Sequence, residues 1–171
     1  LTSEFLVEAQ SGGTCVVRVT SSGFGTGADW ESEFWEEMGT SWMPFFDNLR
    51  LYLSHFAGQE ATQLEAAASH PSDAEKLWSV LRDALGLRGE GTTVEWRDAT
   101  GTVERVGERQ ALVRLTAPVP GMLNVFVFEE GDGKATAGLR AYLFSVDAAD
   151  YVRREQSAWE SWLRELPVRA E

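Results

Sequence analysis

The chain has 171 residues, 43% hydrophobic and 25% charged, with seven tryptophans, enough apolar mass for one large domain or two small ones. Fifteen basic against 27 acidic residues leave a net charge of −12, a field that repels phosphate backbones and argues against nucleic acid as a partner. No apolar run reaches the roughly 20 residues that span a bilayer, and the single cysteine, Cys15, has no internal disulfide partner, which points to a reducing cytoplasm.

In chain order, Glu4 to Gln10 reads as a strand, Ser11-Gly12-Gly13 as a turn, and Thr14 to Ser21 as a second strand in which Cys15, Val17 and Val19 share one face. On that face Cys15 is expected to act as a small buried hydrophobe. Leu1 leads directly into the strand pattern, so this first unit is expected to lack its front. A loop, Gly23-Phe24-Gly25-Thr26-Gly27, leads to a short acidic helix from Asp29 to a stop at Gly39. A second helix is predicted over 40–56, where Trp42, Phe45, Leu49, Tyr52 and Phe56 recur at spacings of three and four, with Pro44 in its first turn.

Residues 57–71 read as a connector rich in Ala, Gln and Glu, with His70 held extended by Pro71. Ser72-Asp73-Ala74-Glu75 forms a capping box for a helix that runs through Leu77, Leu81 and Leu85 to Gly86. Strands follow at roughly 92–98, 102–106, 109–117, 122–130 and 135–146, separated by turn signals at Gly101, Gly107, 118–121 and 131–133. Short strands joined by short turns imply an antiparallel meander. A last helix begins at Asp147, with Val146 and Tyr151 as a hydrophobic staple and a stripe of Val152, Trp159, Trp162, Leu163 and Leu166. The octets 42–49 and 159–166 both read Trp-x-x-aromatic-apolar-x-x-Leu, and each follows a strand pair, which suggests two related units.

A hairpin ending in V-T-S-S-G-F, an acidic helix, Gly39 and then W-M-x-x-x-x-N-L-x-x-Y-L-x-x-F resemble the C-terminal part of the START-like (SRPBCC) superfamily. The closer likeness is to the branch of homologues of the activator of heat-shock protein 90 ATPase, in the larger bacterial form that carries a second, degenerate unit. The resemblance implies an α+β helix-grip fold, a curved antiparallel sheet around a long C-terminal helix. It also implies three segments: 1–56 as the end of a first unit, 57–71 as linker, and 72–171 as a whole second unit. Function in such a fold rests on an apolar cavity between helix and sheet with a few oriented polar groups. The residues expected to line it are Trp42, Phe46 and Leu49 from the first long helix and Trp159 and Leu163 from the last, with Arg140 and Tyr142 on a strand between.

Catalytic and metal chemistry finds little support. His55 and His70 have no ligand spacing with each other or with Cys15, and neither stands beside a nucleophile motif. The glycine loop at 23–27 lacks dinucleotide spacing, and 131–134 is a hairpin turn rather than a phosphate loop. Arg18, Arg114 and Arg140 occupy strand centres, where a concave face would let them orient a ligand anion and a convex face would leave them solvated. The sequence therefore reads as a non-enzymatic module for a small hydrophobic ligand, with no cofactor. The alternatives are a co-chaperone-like module with a protein partner and an aromatase/cyclase-type enzyme, for which Tyr142 and Tyr151 are the acid–base candidates.

Overall fold

A computed structural model of the chain describes residues 2–12, 14–22 and 30–168, with the backbone alone for residues 21 and 30–42. It divides into two compact units, Leu1–Met43 and Pro44–Glu171. The first holds β1 (Thr2–Ala9) and β2 (Cys15–Ser22), an antiparallel hairpin in which Phe5 faces Val19 and Val7 faces Val17. The pleat puts Phe5, Val7, Ala9, Cys15, Val17 and Val19 on one face, as the alternation predicts. On it Val17 and Val19 are half-buried. Phe5 and Val7 are more than half exposed, and Cys15, expected to be buried, is exposed. The glycine loop at 23–27 lies outside the described residues.

Helix α1 runs unbroken from Trp30 to His55, through both Gly39 and Pro44, where the sequence predicts two helices. Interior glycine and proline cost about 1 and 3 kcal/mol. The division between the units falls at Pro44, inside this helix. Of the predicted stripe, Phe56 is buried and Leu49 and Tyr52 are half-buried, while Phe45 is half exposed; Leu51, outside that stripe, is buried as well.

The second unit is one six-stranded sheet of order β3-β8-β7-β6-β5-β4, antiparallel throughout. Its strands are β3 (Thr62–His70), β4 (Thr93–Trp96), β5 (Ala99–Val106), β6 (Gln110–Ala117), β7 (Gly121–Gly131) and β8 (Lys134–Leu143). The segment read as connector thus contains an edge strand, β3, with Leu64, Ala66, Ala68 and His70 facing inward. The first strand turn after Trp96 falls at Arg97-Asp98, not at Gly101, which lies inside β5. Register shifts in the β5–β6 pairing, at Thr100/Gly101 and Val103/Arg105, increase local twist and let the sheet bend. The Asp132-Gly133 turn has both residues left-handed, which matches the twist of β7 and β8.

One face of the sheet carries α2 (Ala74–Leu85) and α3 (Ala148–Arg164). Asp73 caps α2 by accepting from the Lys76 backbone N–H at 2.8 Å, and Gly86 closes it in the left-handed conformation. α3 lies mainly along β3 and α2 over β7 and β8. Leu64, Leu77, Leu81, Val113, Val125, Leu139 and Leu163 fill the space between. Ala66, Ala68, Ala135, Ala137 and Ala141 line the inner face of β3 and β8, and their small side chains let the helices approach the sheet closely. The staple expected between Val146 and Tyr151 is not made, because Val146 is 97% exposed.

The opposite face is covered in part by the end of α1. Leu51 and Phe56 pack there with Leu112, Met122 and Phe144, flanked by Tyr52 and Tyr142, and the Phe56 and Phe144 rings stack at 4.3 Å. Asn48 and Asn124 exchange two amide hydrogen bonds of 2.8 and 3.0 Å between this helix and β7. The architecture is α+β: a bent antiparallel sheet with the C-terminal helix across one face. No helix among the described residues is long and apolar enough to cross a membrane.

Candidate functional site

Trp96 ends β4 because the Val94/Trp96 alternation turns both inward, while Thr93 and Glu95 face out. The helical spacing of α3 brings Tyr151, Glu155, Trp159 and Trp162 along the side that meets this strand end. The Trp96 ring stands edge-to-face with Trp159 at 5.0 Å and with Trp162 at 4.7 Å. Trp96 and Trp159 are 6% and 1% exposed, yet neither indole N–H has an acceptor among the described residues. That is the one pair of buried, unsatisfied side-chain donors found among them.

The tip of the β4–β5 hairpin is held to α3 beside this cluster. Tyr151 donates its hydroxyl to Asp98 Oδ1 at 3.2 Å. Burial, reinforced by the Asp98 charge and this bond and by Glu155, pushes the Tyr151 phenol up to about 12; the Trp159 indole offsets part of that rise without making a hydrogen bond of regular geometry. Arg97 takes a left-handed backbone with φ of 55°, an arrangement disfavoured for a long side chain. Its guanidinium lies 3.1 Å from Glu155 and 6.0 Å from the centre of the Trp96 ring.

The expected site residues separate. Trp159 and Leu163 lie beneath α3, fully buried in the core. Arg140 and Tyr142 lie on the other face of the sheet, where Arg140 pairs with Glu65 across the strands and stands over the Phe126 ring at 5.8 Å. Its pKa is raised, chiefly by the hydrogen bond to Glu65. Phe46 and Leu49 are partly buried on α1, and the Trp42 side chain lies outside the described residues. Those described therefore do not meet in one cavity. Arg114 pairs with Glu104 at 2.7 Å on the same face as Arg140.

Reasoning from sequence missed Trp96 and Asp98, although the Val94/Trp96 alternation could have marked the first. It also read His70 as linker. His70 is buried, its Nε2 2.9 Å from the Leu163 carbonyl oxygen, and so ties the end of β3 to the last turn of α3. A separate open depression of about 430 Å³ lies at the end of α2, lined by Arg82, Asp83, Gly86, Leu87 and Arg88. Its cations sit at a helix C-terminus, where outward carbonyls disfavour an anion. No group of three or more metal-ligating side chains occurs among the described residues.

No protein-family model and no curated protein matches the chain. Among solved structures, it is similar to CalU16 from Micromonospora echinospora at 13% identity and a TM-score of 0.41, over 62% of this chain and 98% of that one. It is similar to the Aha1 dimer from Colwellia psychrerythraea at 12% identity and a TM-score of 0.48, over 60% and 90%. A likeness to the di-domain ARO/CYC BexL from the BE-7585A biosynthetic pathway, at 12% identity and a TM-score of 0.43, extends over 94% of this chain and 67% of that one. These are similarities only, and no role of those proteins passes to this chain through them.

Proposed function

We propose that the chain is a non-enzymatic START-like module whose second unit takes a small apolar ligand between α3 and the sheet. One observation carries this reading: Trp96 and Trp159 bury two indole N–H donors without acceptors in an aromatic cluster at the edge of the sheet. Burying such a donor unpaired costs about 1–3 kcal/mol, a cost that a bound molecule can remove. Tyr151 supports binding over proton abstraction, because a phenol whose pKa is pushed up to about 12 stays a donor at neutral pH.

The test is titration with the neutral dye Nile red, followed by its emission and by tryptophan quenching. Saturable binding is expected, weakened by Trp162→Ala, where the indole borders the cluster, and unchanged by Arg140→Met on the other face. Absence of saturable binding overturns the reading. A protein-interaction role is the second reading, and it has its own observation in the exposed apolar face of the β1–β2 hairpin, with Phe5 56% and Val7 64% exposed. Dye binding lost in Val7→Asp and retained in Trp162→Ala would favour that reading instead.

A further inference from the structure

The sequence carries a helix stop and a helix start inside α1, and the fold uses neither. Gly39 is the residue type that closes a helix in the left-handed conformation. Thr40 and Ser41 are residue types that cap a new one, and Pro44 then falls in its first turn, where no N–H is required. The structure nevertheless runs one helix from Trp30 to His55. Pro44 has no N–H to give to the carbonyl of residue 40, so the ladder lacks a bond there, and Gly39 adds its own entropic cost shortly before it.

A break between Gly39 and Pro44 therefore costs little relative to the unbroken helix. It gives up the bonds from the N–H groups of residues 41–43 to the carbonyls of residues 37–39. In return, a left-handed Gly39 closes the front segment on its own carbonyls, and a cap at Thr40 or Ser41 satisfies an N–H of the rear one. Most helices have no such second solution, because a break leaves orphan groups at both new ends.

The contacts divide at the same place. Residues before Pro44 group with the first unit, and those from Pro44 onward with the second. The rear segment is pinned. Asn48 donates through Nδ2 to the Pro44 carbonyl and to Asn124 Oδ1, both at 2.8 Å, and accepts from Asn124 Nδ2 at 3.0 Å. Asp47 lies 3.6 Å from Arg105 on β5, and Leu51 and Phe56 are buried with Leu112 and Met122 on β6 and β7. These contacts hold residues 44–56 to the sheet whichever way residues 30–38 run.

We propose that α1 is a two-state hinge, in which a continuous helix exchanges with a form broken between Gly39 and Pro44 while the rear segment stays fixed on the sheet of the second unit. No ligand is needed for the exchange. A partner that favours one direction of the front segment would shift its balance.

The test places two spin labels on α1 of the full chain, through Glu33→Cys and Ser54→Cys in a Cys15→Ser background, and measures their separation by pulsed dipolar spectroscopy. A continuous helix puts those two backbone positions about 30 Å apart. The parent is expected to show that distance together with a second, shorter one. Gly39→Ala is expected to cut the short component about fivefold, and Gly39→Ala combined with Pro44→Ala to remove it. A single narrow distance near 30 Å in the parent, as measured for a continuous helix, would overturn the hinge. The short distance alone would overturn it too, since nothing would then exchange. A short component that survives unchanged in Gly39→Ala would show that these residues do not make the hinge, and that result needs no second variant to fold.

Discussion

Tyr151 donates a hydrogen bond from its hydroxyl to Asp98 from a buried position, and that sets how the site answers to alkali. In the unfolded chain a tyrosine titrates near 10, whereas here burial, then the Asp98 charge and hydrogen bond, hold the proton to about 12. Between those values the unfolded chain loses its proton first, so this residue lowers stability as pH rises from about 10 to 12 and is silent below. Tyr151→Phe is therefore expected to be about 1 kcal/mol less stable than the parent near neutral pH, for the lost hydrogen bond. The gap should close and then change sign as the pH rises from about 10 towards 12, because about two pKa units outweigh one hydrogen bond; thermal midpoints across that range read it, and a gap independent of pH would contradict the assignment. Little of this was legible in the residues alone. Tyr151 could be placed on the inner stripe of α3, but its partner Asp98 sits in a turn without glycine, set by the left-handed Arg97. Local propensity carries no mark of such a turn. His70 was hidden in the same way, since its partner is a backbone carbonyl 93 residues away.

Individual elements show where periodicity succeeds and where composition masks it. α2 was readable from both ends, because Asp73 and Gly86 act through contacts within a few residues of themselves. β3 was not. Its inward residues after Leu64 are Ala66 and Ala68, and alanine is a helix former with too little apolar surface to make alternation visible. α1 kept its helical period and part of its predicted face, with Phe56 inward; Asn48 pairs with Asn124, Leu51 joins the inward side, and Phe45 is half exposed. The sheet's own glycines give a sharper test of how closely its strands are built. A Cβ at Gly121 would strike the backbone carbonyl of Tyr142 on the neighbouring strand, which cannot move without breaking the β7–β8 ladder. One at Gly138 would strike the Phe126 ring, a partly exposed side chain able to rotate outward. Gly121→Ala is expected to cost about 3 kcal/mol and Gly138→Ala about 1 kcal/mol. Denaturant unfolding would measure both, and equal costs would show that Phe126 is as fixed as the backbone.

At the scale of the whole molecule, the fold class follows from many short strands bracketed by helices, and the antiparallel pairing follows from their short turns. What sequence could not supply is the closure of the sheet, where β3 joins β8 with Thr62 opposite Leu143. Nothing local to either strand encodes a partner so distant in the chain. The same distribution of contacts predicts uneven stability. In the second unit Val113, Val125 and Leu139 on three adjacent strands are wholly buried, so their amides are released to solvent only when the sheet comes apart. In the first, every residue of β1 is exposed, and an isolated two-stranded hairpin is marginally stable at best. Hydrogen exchange of the full chain should therefore separate the two. Amides of β6, β7 and β8 should exchange with the free energy of global unfolding, and those of β1 and β2 with about 1 kcal/mol of protection or less. Denaturant should accelerate the first group and leave the second nearly unchanged, since local fraying exposes little new surface. Hairpin amides protected as strongly as those of β7 would mean that the face of Phe5 and Val7 is covered in solution. A dependence of that protection on protein concentration would then identify the cover as a second copy of the chain, by mass action.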